Sequence, residues 1–367
     1  MNDDYDKILI DSSRYRDVSI IKGIINEIHN TTKKEWNIME VCGGQTYALA
    51  HYRLEELLPD NVHMIHGPGC PVCVTPVSII DNAIELSDRQ NIIMCSFGDM
   101  MRVPGTRTSL LEKKAEGADI RILYSPLDVI EIAAKNPGKE VIFLAIGFET
   151  TTPIYALLIQ KAEELGLQNI SILTSLYTVP PAVRALAADP DCKIDALLGA
   201  GHVCAISGVK PYAKLSEDLK IPVIVTGFEP VDLLYGILLA VRQLETGKIY
   251  AENGYKRVVS YNGNIKAQED IAGIFETADV EWRGLGIIPF SGLKITKKYE
   301  HFDSAKRYEL TNNVPIKGSL CISGDIMKGI RKPCECEYFG TRCTPEHPVG
   351  APMVSGEGVC SAYYNNR

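Results

Sequence analysis

A chain of 367 residues with 46% hydrophobic and 23% charged residues has the balance of an ordinary globular protein of about two or three domains. Its net charge of -8 argues against a nucleic-acid binder, which needs a basic face to neutralise phosphates. No apolar run reaches the ~18 residues of a membrane span, and the opening MNDDYDKILI lacks the basic-then-apolar pattern of a secretory signal, so a cytoplasmic protein is expected.

Residues 1–35 read as a polar lead-in with one amphipathic helix at 19–29. Eight short runs follow: WNIMEVCG, NVHMIHG, NIIMCSFG, IRILYS, VIFLAIG, ISILTSL, IDALLGAG and IPVIVTG. They are rich in Ile and Val and mostly end in Gly or Ser. Helical patterns lie between them, at 47–58, 76–86, 109–116, 126–135, 154–165 and 181–188. Strand, glycine turn and helix in repetition predict parallel α/β sheets covered on both faces. The runs VIFLAIGFETTTP and VIVTGFEPVD both pass from strand through Gly-Phe-Glu into helix. Two related α/β units and independent strand-end chemistry both explain that echo. Beyond about residue 268 the pattern loosens.

In open α/β sheets, ligands bind outside the carboxyl ends of the strands. Six such ends here carry unusual residues. In CGGQT (42–46), Gly43 and Gly44 permit a tight turn and close ligand approach. The helix behind Cys42 predicts a depressed thiol pKa, with a buried structural cysteine as the alternative. In HGPGCPVC (66–73), Cys70 and Cys73 form a CxxC between strand and helix. That placement suits a thioredoxin-type redox pair, half of a metal site, or an inert buried pair. FGDMMRVPG (97–105) offers Asp99 and Arg102, as site residues or as a surface ion pair. GFETTT (147–152) brings Glu149 and three hydroxyls to a helix start, for anion binding or capping. GAGHVC (199–204) presents His202 as acid, base, ligand or simple hydrogen-bonding group. Gly227-Phe-Glu229 completes the set. No GxxxxGK[ST] or GxGxxG supports nucleotide binding.

Eleven cysteines are many for a reducing compartment, where clusters of them bind metal or do redox work. Five crowd the tail: Cys321, Cys334, Cys336, Cys343 and Cys360. The tail is short of apolar runs and would gain from a metal staple. A [4Fe–4S] cluster and a zinc site of four cysteines both suit it, and the lack of paired CxxC knuckles favours iron–sulfur.

CGGQT, HGPGCPVC, FGDMMRVPG, GFETT, GHVCAISG, VTGFEPVDLL, WRGLG and the Cys-rich tail ending SGEGVCSAYY resemble, in order and spacing, the HypD family of hydrogenase maturation proteins. The likeness runs from about residue 36 to 364. It implies two parallel-sheet α/β domains around a cleft plus a C-terminal Cys-rich iron–sulfur domain. The expected bounds are 36–140, 141–240 and 241–367, after the lead-in 1–35. It also implies a scaffold for the Fe(CN)2CO unit of [NiFe]-hydrogenase, acting with a HypC-type small chaperone and a HypE-type cyanide carrier and serving the hydrogenase large subunit indirectly. Cys42 matches the cysteine thought to hold that iron, in a turn completed by Gly43, Gly44 and Thr46. Cys70 and Cys73 match a redox pair in line with a [4Fe–4S] cluster. Cys336, Cys343 and Cys360 match cluster ligands, with Cys321 as the fourth and Cys334 in reserve. Asp99, Arg102, Glu149 and His202 are expected to orient diatomic ligands and move protons. Many members read CGGHTH where this chain has Gln45 and Tyr47. Any imidazole role there passes to a residue such as His66 or His202. The rival reading is a stand-alone thiol–disulfide oxidoreductase with a zinc-stapled tail; a purely structural adaptor and a member serving another metal target are further options. No coiled-coil heptads appear, so a monomer is expected.

Overall fold

All eight apolar runs become strands: β1 (Trp36–Glu40), β2 (Val62–His66), β3 (Ile92–Ser96), β4 (Ile120–Ile122), β5 (Glu140–Gly147), β6 (Ile170–Tyr177), β7 (Ala196–Ala200) and β8 (Val223–Thr226). The computed structural model describes residues 12–310 and 320–366, so 1–11 of the lead-in, 311–319 and 367 lie outside the described residues. The fold is α/β, dominated by parallel strands. β5 shows why an unbroken apolar run reads as a strand: every residue after Glu140 is buried, covered on both faces by helices.

Three strands were not legible in the sequence: β9 (Ala251–Asn253), β10 (Phe275–Trp282) and β11 (Gly286–Ile295). The first sheet has the order β2-β1-β7-β8-β9 and is parallel throughout. The second has the order β10-β11-β6-β5-β3-β4. It is parallel from β4 to β6, and the β10–β11 hairpin joins it antiparallel to β6.

The expected domain bounds are therefore corrected. The stretch 36–140 contains strands of both sheets, and so does 141–240. The chain lays down β1 and β2, crosses to the second sheet for β3–β6, returns for β7–β9 and crosses again for the hairpin. The boundary at 140/141 falls inside β5, whose register with β3 and β6 is continuous. Residues 241–295 complete the two sheets instead of starting a separate domain. The Gly-Phe-Glu echo ends one strand in each sheet, β5 and β8.

The lead-in helix Val18–Thr31 buries Ile24 and Ile28 in the core that the almost wholly buried helix Pro230–Thr246 forms against the first sheet. A second apolar cluster joins the sheets. It takes Met39, Cys42, Leu197 and Tyr212 from one side and Phe148, Tyr177 and Trp282 from the other. The carboxyl ends of β1, β7 and β5 thus meet at one place. The tail from 320 onward is mostly turns and short helices. Its last helix, Val359–Asn365, packs on the helix Gly43–His51 that follows Cys42. Among the described residues no helix is long and apolar enough to cross a membrane.

Candidate functional site

Cys42 caps the helix Gly43–His51, which starts four residues before the expected 47. Three contacts fix the turn. Glu40 accepts a 2.7 Å hydrogen bond from the Cys42 amide. The Thr46 hydroxyl donates to the other Glu40 oxygen. The Gly43 amide donates to Gly69 O at 3.0 Å. A Cβ on Gly69 would lie 2.2 Å from Cys42 N, so only glycine lets the CxxC loop pass this close to the Cys42 backbone. A Cβ on Gly44 would stand 3.7 Å from Cys42 Sγ and 3.3 Å from the Phe228 ring.

The Cys42 thiol pKa is raised, not depressed as the helix start suggested. Burial at 2% exposure outweighs the favourable amides of Gln45 and Gly44, and the Glu40 and Glu357 carboxylates add to the rise. The sulfur is a thiol until something displaces its proton. His202 Nδ1 lies 3.6 Å away. Burial holds that imidazole down at about 4, so it is neutral and able to accept. Of the two histidines considered in place of the missing imidazoles, His202 is the one at Cys42. His66 is buried against Glu40 and Glu55. Gln45 is fully buried, with Nε2 donating to Gly199 O, while Tyr47 faces outward and stacks on His51.

Glu149 follows Phe148, whose ring shares an apolar cluster with Cys42. Its Oε1 accepts from Val179 N at 2.9 Å, and burial raises its pKa to about 7. Its Oε2 and Gln45 Oε1 are buried without hydrogen-bond partners among the described residues. Cys204 and Tyr212 lie in the same buried cluster as Cys42, and each feels both Cys42 and Glu149. Neither was singled out by pattern, because a buried Cys and a helical Tyr look like ordinary core. The Thr151 and Thr152 hydroxyls bond to Phe148 O.

Cys70 and Cys73 are joined as a disulfide, with Cα atoms 5.3 Å apart. Both are buried, at 4% and 5% exposure. Together with Gly43, Thr46, Pro352 and Glu357 they line one crevice. Pro352 also lines a neighbouring apolar cavity, whose walls carry Cys321, Cys336, Cys343 and Cys360. A Cβ on Gly350 would reach 2.3 Å from Cys321 Sγ, so this glycine keeps the cavity open. Burial raises the Cys360 pKa, and the other three thiols raise it further. Cys334 is exposed on the turn Pro333–Glu335 and does not line the cavity.

The chain from 19 to 367 matches the family model described as "Hydrogenase formation hypA family", HypD. The chain belongs to the HypD family. It is 45% identical over 96% of its length to a hydrogenase maturation factor HypD2 of Bradyrhizobium diazoefficiens, of which it covers 96%. It is 44% identical to a hydrogenase maturation factor HypD of Rhodobacter capsulatus, over 96% of this chain and 97% of that one. To the HypD of Escherichia coli it is 43% identical, over 92% and 91%. Hydrogenase maturation is the role these relatives carry in their names, and it implies work with other maturation proteins.

Not every expected residue of this HypD-family chain lies at Cys42. Arg102 donates to Pro345 O at 3.0 Å and Val354 O at 2.9 Å, and its pairing with Asp99 is long at 3.9 Å. Its guanidinium fastens the tail. Asp99 is half-exposed and near enough to help raise the Glu357 pKa after burial. Glu357, which abuts Gly43, went unnoticed in the sequence because a glutamate in SGEG reads as loop polarity.

Proposed function

We propose that the chain is the redox scaffold on which the Fe(CN)2CO unit of a [NiFe]-hydrogenase is assembled. One observation carries the reading: the four-cysteine cavity and the crevice lined by Cys70 and Cys73 share Pro352, and Gly43, next to Cys42, lines that same crevice. Cys42 is the soft donor to the cargo iron, suited to low-spin iron with cyanide and carbonyl ligands. Iron binding displaces the thiol proton, and His202 Nδ1 accepts it. Glu149, protonated below about pH 7, offers the Oε2 proton to a cyanide nitrogen or carbonyl oxygen. A HypC-type chaperone supplies a second thiolate, and a HypE-type carrier brings cyanide as a thiocyanate. The loaded iron passes on toward the hydrogenase large subunit.

The Cys70–Cys73 pair stores two electrons. Reduction of the disulfide takes two electrons and two protons and gives two thiols. Reoxidation of the two thiols to the disulfide passes two electrons to a carrier thiocyanate and breaks its S–CN bond; one of the two protons released ends on the carrier thiol and the other leaves with the cyanide. Cys321, Cys336, Cys343 and Cys360, four thiols around one apolar cavity bordered by Gly350, suit a [4Fe–4S] cluster in donor type and would hold it, and that group would supply single electrons when bound. Cys334 stands aside. The burial of Cys70 and Cys73 speaks against free turnover of bulky disulfides.

The test is an infrared spectrum of the protein purified without oxygen together with its small chaperone. Metal-bound cyanide and carbonyl bands are expected, and they vanish in Cys42→Ala. A Cys42→Ala sample that keeps both bands overturns the iron assignment.

A further inference from the structure

Arg283 lies in the turn between β10 and β11, a place with no assigned role. Its amide donates to Val74 O at 2.7 Å, one residue beyond Cys73. Its Nη2 donates to Pro104 O at 3.1 Å, while Nη1 is buried with no hydrogen-bond partner among the described residues. It forms no ion pair among them either. The next residue, Gly284, has φ +82° and presses on the Cys321 segment: a Cβ on Gly324 would meet Gly284 O at 2.4 Å. Arg283 and Cys321 border one pocket, together with Glu281 and Ser323. The ionisable groups nearest the guanidinium are Cys321, Asp81, Tyr177 and Glu281. Asp81 is already engaged by the Thr106 amide and hydroxyl.

A buried guanidinium nitrogen left without a hydrogen-bond partner is costly, and added negative charge nearby offsets that cost. Here the turn ties the element bearing the disulfide to the segment bearing Cys321, and Arg283 and Cys321 line one pocket. We propose that Arg283 is a positioning residue for electron transfer: its fixed positive charge offsets the negative charge gained by a four-thiolate centre on reduction and holds that centre against the Cys70–Cys73 element. The proposal rests on the cluster reading of the tail. The step is one electron gained, with no bond made or broken, and the donor in the test is dithionite. Net charge beside a thiolate-bound cluster is one of the levers that set its potential.

The experiment is a redox titration followed by electron paramagnetic resonance, on the full chain reconstituted without oxygen with iron and sulfide. In Arg283→Gln the ratio of reduced to oxidised centre at a fixed potential is expected to fall about tenfold, which is ~59 mV for a one-electron couple. Arg283→Lys keeps the charge and is expected to restore most of the ratio. Glu281→Gln removes a carboxylate from the same pocket and is expected to shift the ratio the opposite way, a readout that stands even where Arg283→Gln fails to hold its iron. An unchanged ratio in all three, or equal falls in the Gln and Lys variants, overturns the proposal. A wild-type chain that takes up neither iron nor sulfide overturns the cluster reading itself, and the two failures are thereby distinct.

Discussion

His66 offers the sharpest perturbation. It is 5% exposed, with Nδ1 2.8 Å from Glu40 Oε1 and Nε2 3.0 Å from Glu55 Oε1 and 2.9 Å from the Tyr363 hydroxyl. Burial alone would lower its pKa. The Glu55 and Glu40 carboxylates outweigh burial and hold it well above 6.5, and Glu55 is in turn held low by the imidazolium. His66→Ala leaves Glu40 fully buried with only the Cys42 amide and the Thr46 hydroxyl. Breaking a buried charge pair in this way costs about 3–5 kcal/mol. The pH dependence follows from linkage. A His whose folded pKa is raised stabilises fully below its unfolded value of 6.5 and loses that contribution as pH rises through the folded value. A Glu whose folded pKa is lowered stabilises above 4.5 and loses that contribution on acidification. The gap between wild type and His66→Ala is therefore widest between those two values and narrows in alkali. Urea unfolding midpoints across that range measure it, with amide exchange on Val359–Asn365 as a second readout, because Tyr363 ties that helix to the network. A gap below ~1 kcal/mol, or one flat with pH, refutes the reasoning.

Glu149→Gln carries a sign that is easy to get wrong. A carboxyl raised from 4.5 to about 7 keeps its proton in the fold, so wild-type stability falls as pH rises across that interval; the amide removes the loss. The variant is expected to unfold ~3 kcal/mol harder than wild type in mild alkali and equally at acid pH, checked by urea midpoints. Gly350→Ala is expected to lose most iron and sulfide uptake while Cys334→Ser keeps it, read by metal and sulfide analysis after reconstitution. Gly69→Ala drives a methyl into the Cys42 backbone and is expected to lower stability by at least ~1–3 kcal/mol, as overpacking does; melting curves decide it.

The strands from β1 to β8 were legible because each is a short apolar run ended by glycine or serine, and a period-free Ile/Val run of that length has few alternatives. β10 and β11 were not. FETADVEW and GIIPFSGLKI mix polar and apolar positions, as suits an edge hairpin half open to solvent, and β10 is mostly exposed or half-buried. The interleaving of the sheets was invisible for another reason. Nothing local in a strand names its neighbour, so chain order suggested contiguous domains where the registers run across 100 residues or more, such as Ile38 opposite Ala196. The site was legible as residue types at strand ends. Its electrostatics were not: the helix start beside Cys42 argued for a thiolate, and burial reversed the sign.

That reversal ties the fold to its chemistry. A surface thiolate would be oxidised or alkylated; a buried thiol beside a neutral imidazole is quiet until a soft metal displaces the proton. Burial of Cys42 needs both sheets, since Met39 and Leu197 cover it from one and Phe148 and Trp282 close the same cluster from the other. The double crossing of the chain is what delivers them. β1 and β7 bring Cys42 and His202 side by side from positions 160 residues apart, and β5, laid down between them in sequence but in the other sheet, is followed by Phe148 of the Cys42 cluster and by Glu149. Neither half of the chain, taken as a contiguous domain, holds all three groups.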